Sequence, residues 1–177
     1  MNDFRLQPHG RVLIGLALLA IAAILFDLLI DLWLLVNSGN SQQLQVGLGQ
    51  ATFAAVSSDP MGRHAGLVSW ALYYLGLLLP AVATVLVGSA MTTQTAGRES
   101  VAKCFKRLAI ALLMCLILQM LGAWILITTA RTINPDIIVN INTDGMFWLL
   151  LGIVIASAAS VAIRYLGALE ADNASIV

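Results

Sequence analysis

Charge is scarce in this 177-residue chain. Only 10% of its residues are Asp, Glu, Lys or Arg, while 60% are apolar. Soluble domains carry about 25% charged residues. A deficit of this size, gathered into long uncharged runs, is the signature of a membrane protein. Nine acidic and nine basic residues cancel, so there is no electrostatic footprint for direct nucleic-acid binding. Cysteine is sparse too. Cys104 and Cys115 lie eleven apart, with no CxxC pair and no histidine nearby, which excludes a disulfide framework and a zinc site. Cys115 falls in an apolar run and is expected to pack. The two histidines, His9 and His64, fall outside the apolar runs, so paired haem ligands inside a bundle are not available. No Gly-rich phosphate loop, nucleophile elbow or metal-ligand spacing occurs. No enzymatic activity and no cofactor are therefore expected.

What is abundant is uninterrupted hydrocarbon. Four runs, Val12–Val36, Leu67–Ala90, Leu108–Ala130 and Met146–Leu166, are long enough to cross about 30 Å of bilayer at about 1.5 Å per residue. Backbone amides cannot go unpaired in lipid, so each run is expected to be a helix. The fold class expected is all-α, a single four-helix membrane domain over residues 1–177. The first run has 25 residues, whereas a signal-peptide core has about 7–15, so it is read as a retained span.

Basic residues set the orientation. With four spans, the N-terminus, the middle loop and the C-terminus share one side. That side holds Arg5, Arg11, Arg98, Lys103, Lys106, Arg107 and Arg164, while the other holds only Arg63 and Arg131. Both ends are thus expected in the cytoplasm. Trp33, Trp70, Trp124 and Trp148 fall at the outer ends of the spans, where indole rings anchor at headgroup level. The outer loops each carry an alternating stretch, 44–48 and 137–142, and the second is rich in β-branched residues. A small extracytoplasmic β element joining them is the expectation.

Asp27 and Asp31 are the most informative residues. They are four apart on the first span and share one side of it. An acid near the bilayer centre costs about 2.5–3.5 kcal/mol, so neither should face lipid while ionised. Three readings stand open. The pair serves a proton or cation relay. Alternatively, Asp27 hydrogen-bonds Gln119 or Ser157 while Asp31 reaches Arg131. In the third, the pair meets a polar residue on another protein's helix. Gln119, mid-span, is read as packing glue. Pro80 is expected to kink its helix. Gly152, Ala156 and Ser160 form a small-residue stripe, an intrachain packing face first and a homo-oligomer face second.

Gly97 is expected to end one helical stretch, after which Ser100–Arg107 runs into the third helix with its basic residues at the membrane surface. The tail, 164–177, contains a glycosylation sequon at Asn173 that carries no meaning in the cytoplasm. Leu169, Asp172, Asn173 and Val177 resemble the ending of the bacterial family labelled domain of unknown function 2975, whose members are small four-helix membrane proteins. Ala171, Ala174, Ser175 and Ile176 depart from that ending. The family has no assigned activity, and its members are often encoded beside a small helix-turn-helix regulator. The resemblance implies a membrane partner for a cytoplasmic DNA-binding protein, with tail and middle loop as contact surfaces. The expected role is membrane interaction or signalling. The alternatives are a small proton-coupled transporter using Asp27 and Asp31, and an accessory subunit of a larger membrane complex.

Overall fold

A computed structural model of the chain describes residues 7–37, 59–93, 98–133 and 144–175. Among the described residues there are four helices and no strand. Helix α1 is Gln7–Asn37, α2 is Pro60–Thr92, α3 is Arg98–Ile133 and α4 is Asp144–Ser175. All four are long and apolar enough to cross a membrane, and the chain is a multi-pass helical membrane protein. The two stretches expected to pair as a β element, and Gly97, lie outside the described residues.

The helices outrun the apolar stretches that predict them. Helix α2 begins seven residues before Leu67, at a cap. The Asp59 carboxylate accepts from the Met61 and Gly62 amides at 3.0 and 3.3 Å, and Pro60 sits in the first turn. There its missing N–H costs nothing. At the far end the Thr93 amide donates to the Ser89 carbonyl. Helix α2 passes through Pro80 without interruption, and the Thr84 hydroxyl donates to the Pro80 carbonyl at 2.8 Å. Helix α3 starts at Arg98, so Lys103, Lys106 and Arg107 ride on its first turns. Lys103 pairs with Glu99 at 2.8 Å on an exposed surface, where an ion pair contributes little.

Packing is sequential and antiparallel: α1 lies on α2, α2 on α3 and α3 on α4, and no other pair of helices makes an extensive contact. The centre is the α2–α3 seam. Ser69, Gly76, Ala83 and Ala90 recur every seventh residue on α2 and are buried; Ala102, Ala109, Leu116, Ala123 and Ala130 do the same on α3. A seven-residue repeat keeps one stripe facing its neighbour along a shallow left-handed crossing. Small side chains let the backbones approach, which is where dispersion energy is gained when both sides of the contact are as apolar as lipid. A Cβ built on Gly122 would lie 3.1 Å from Ser69 Oγ, and one on Gly76 would lie 3.3 Å from the Cys115 carbonyl oxygen. Cys115 itself is fully buried in this seam.

Helix α1 meets α2 through a stripe spaced four and three: Gly10, Ile14, Ala17, Ile21, Ile24, Leu28 and Asp31 are its buried and half-buried positions. The closest approach is glycine on glycine, where a Cβ on Gly10 would fall 2.7 Å from the Gly88 carbonyl oxygen. Helix α4 packs on α3 through the expected stripe. Ala156 and Ser160 are buried, the Ser160 hydroxyl donates to the Ala102 carbonyl at 2.9 Å, and Gly152 faces Leu112.

This arrangement separates two ends. One, the basic end, carries exposed Arg11, Arg98, Lys103, Lys106, Arg107 and Arg164. The other, the tryptophan end, carries Trp33, Trp124 and Trp148, each more than 60% exposed. Trp70 is different, being turned inward.

Candidate functional site

The two intramembrane acids part company. Asp31 is the last position of the α1 stripe and enters the α1–α2 interface. There its Oδ2 accepts from the Tyr74 hydroxyl at 2.6 Å and from the Trp70 indole N–H at 3.1 Å. Trp70 and Tyr74 are four apart on α2, one turn above the other, and their rings meet edge to face at 5.2 Å. The result is a polar latch near the tryptophan end, with an acceptor from one helix and two donors from the next. Trp70 is thus a hydrogen-bond donor to a neighbouring helix and not only a headgroup anchor.

The expected pairing of Asp31 with Arg131 is not formed, and the register explains why. Asp31 lies opposite Trp70 and Tyr74, Ser69 opposite Gly122 and Gly76 opposite Cys115. The α3 residue level with Asp31 is therefore near Gln119. Arg131, exposed at the helix end, is twelve residues further on, about 18 Å at 1.5 Å per residue. Asp27 likewise makes no hydrogen bond to Gln119 or Ser157. Gln119 donates to Cys115 Sγ within its own helix at 3.4 Å, Ser157 is exposed, and α1 makes no extensive contact with α3 or α4.

What lies between α1 and α4 is a cleft of about 430 Å³, open to the side and lined by all four helices. Its walls are Ala20 and Ile24 on α1 and Gly152, Ile155 and Ala156 on α4. Its floor comes from α2 and α3, including Leu77, Pro80 and Leu112. Thr84 is the one hydroxyl in the lining, and it is already spent on the Pro80 carbonyl. Beyond the lining, at same-face spacings from it, lie four polar or aromatic residues, one on each helix. Asp27 follows Ala20 by seven and Ile24 by three. Tyr73 precedes Leu77 by four and Pro80 by seven. Gln119 follows Leu112 by seven, and Trp148 precedes Gly152 by four and Ile155 by seven. Those are same-face spacings, and the interhelical pairings above put the four residues within about one helical turn of the same level. Asp27 is exposed.

The tail residues Leu169 and Asp172 are exposed on α4 beyond its apolar stretch, and Asn173 belongs to the same helix. Among the described residues no three of His, Cys, Asp and Glu gather as a metal site would require.

Sequence reasoning found Asp27, Asp31 and Gln119, read Trp70 and Trp148 as headgroup anchors, and missed Tyr73 and Tyr74. The signal was present: Trp70 and Tyr74 at a spacing of four point to one face of α2, and the α1 stripe contains Asp31 but omits Asp27. No family model matches the chain, and neither does any curated protein or solved structure.

Proposed function

We propose that the protein is a non-enzymatic interaction and signalling component of a bacterial inner membrane, with both chain ends in the cytoplasm. One observation carries the reading: α4 is a single uninterrupted helix that lines the cleft at Gly152, Ile155 and Ala156 and ends at Ser175. From Ala156 to Asp172 is about 24 Å of helix. A tilt or shift imposed on α4 at the cleft is therefore delivered to the tail, since a helix moves as a rod. The orientation rests on the six basic residues at one end against Arg63 and Arg131 at the other. A cytoplasmic partner meeting Leu169, Asp172 and Asn173 is the natural recipient. The resemblance in the tail points to a small helix-turn-helix regulator for that role.

Removal of residues 167–177 is expected to leave membrane insertion and thermal stability intact and to abolish co-purification of the cytoplasmic partner from native membranes. Co-purification at the wild-type level would contradict the reading. The second reading, proton-coupled transport, draws on Asp27 alone, because Asp31 is committed to the latch. It predicts proton-driven flux in proteoliposomes that Asp27→Asn abolishes.

A further inference from the structure

Asp27 presents a problem that the fold does not solve internally. It lies about three residues from the midpoint of the apolar run 12–36, about 4.5 Å along the helix axis. A carboxylate at that depth is costly when it faces hydrocarbon. Asp31, four residues on, is satisfied by two donors. Among the described residues Asp27 accepts no hydrogen bond, and every Lys and Arg lies outside the apolar runs or within three residues of the end of one. A proton neutralises Asp27 at this depth, and so does a cation that is itself soluble in hydrocarbon.

The surroundings of Asp27 fit such a cation. Below it lies the apolar cleft, about three times the cavity of ~150 Å³ that holds one benzene ring. On the neighbouring helices, within about one helical turn of its level, lie an indole, a phenol and an amide: Trp148, Tyr73 and Gln119. The faces of Trp and Tyr rings attract cations, and the attraction grows when the cation has shed its water. Charge attraction to a carboxylate is also stronger away from water. An apolar pocket with a few convergent polar groups at one end selects ligands of matching polarity. Trp148 is 67% exposed, and the cleft opens sideways, so a ligand dissolved in the bilayer enters without crossing the protein.

We infer that the cleft between α1 and α4 binds a hydrophobic monovalent cation, its apolar groups between Ala20, Ile24, Leu77 and Ile155 and its charge against Asp27, Tyr73 and Trp148. This goes beyond the interaction reading and does not depend on it, because binding requires no partner protein.

The test uses the full chain in nanodiscs, titrated with tetraphenylphosphonium and followed by calorimetry and tryptophan fluorescence. Tetraphenylborate, an anion of the same shape, is the control. Saturable binding of the cation is expected, with the anion at least tenfold weaker. Asp27→Asn should weaken the cation at least tenfold. Ala20→Trp, which fills the cleft from an exposed wall, should do the same while the Asp31 latch and thermal stability persist. The inference is overturned by absence of saturable cation binding, by equal binding of the two ions, or by unchanged affinity in Asp27→Asn. A homodimer that binds no cation would assign the cleft to a second copy of the chain, and would overturn it too.

Discussion

Gly88→Leu is expected to detach α1 from the rest of the molecule. A single Cβ at this position would lie 2.7 Å from Ile14 Cγ1 and 2.8 Å from the Gly10 carbonyl oxygen. Ile14 can change rotamer, but the Gly10 carbonyl is backbone and moves only with its helix. Overpacking a core costs about 1–3 kcal/mol where side chains can adjust. Here the obstruction is main chain, so the upper end, about 3 kcal/mol, is the expected cost. The consequence is also unusually local. Helix α1 has no extensive contact besides α2, so losing this approach leaves it loose in lipid while the α2–α3 seam survives. Reversible unfolding in mixed micelles should show the loss, and limited proteolysis should release α1 first. Gly88→Ala should fall between wild type and Gly88→Leu. A Gly88→Leu protein as stable as wild type would mean that the two backbones do not meet at Gly10 and Gly88.

The second large effect belongs to the latch. Asp31→Ala removes the acceptor of two hydrogen bonds and strands the hydroxyl of Tyr74, a residue only 6% exposed. Bonds to charged groups contribute about 1.5–3 kcal/mol in soluble proteins, but interhelical bonds in a bilayer average only about 0.6 kcal/mol. Two bonds to one carboxylate oxygen, one of them 2.6 Å long, place the expected loss near 2 kcal/mol. Asp31→Asn keeps an acceptor oxygen and should lose less. A double-mutant cycle of Asp31→Ala with Tyr74→Phe should give a coupling of about 1 kcal/mol, since contacting residues are not additive. Additive losses would show that Asp31 and Tyr74 do not interact. Asp27→Asn, by contrast, should leave stability nearly unchanged, because among the described residues Asp27 accepts no hydrogen bond.

The four helices were legible because hydrocarbon imposes a simple length rule, and all four apolar runs lie within described helices. Their true ends were partly legible: Asp59 followed by Pro60 is a cap signal outside the apolar run it precedes. The α4 stripe of Gly152, Ala156 and Ser160 was readable as small residues at a spacing of four, and the structure sets it against α3. The fate of the two acids was not readable from their spacing. Four residues is about 40° of rotation, enough for the edge of an interface to fall between them. Which side of that edge each takes depends on where α2 sits and on Trp70 and Tyr74, which are distant in the sequence. The cleft was invisible for a related reason. It exists because α1 and α4 make no extensive contact, and sparse packing has no local pattern. The grouping of Asp27, Tyr73, Gln119 and Trp148 follows from it, being a juxtaposition of one residue from each helix.

The open side is the feature on which the account turns, and paired cysteines in a background of Cys104→Ser and Cys115→Ala address it directly. Leu112→Cys with Gly152→Cys reports the α3–α4 contact, where a Gly152 Cβ would lie 3.4 Å from Leu112 Cδ1. Ala20→Cys with Ile155→Cys reports the gap between α1 and α4. In native membranes under mild oxidation, the first pair is predicted to form a disulfide rapidly and the second at a small fraction of that rate. Equal rates for the two pairs would mean that α1 and α4 close on each other, leaving no cleft between them.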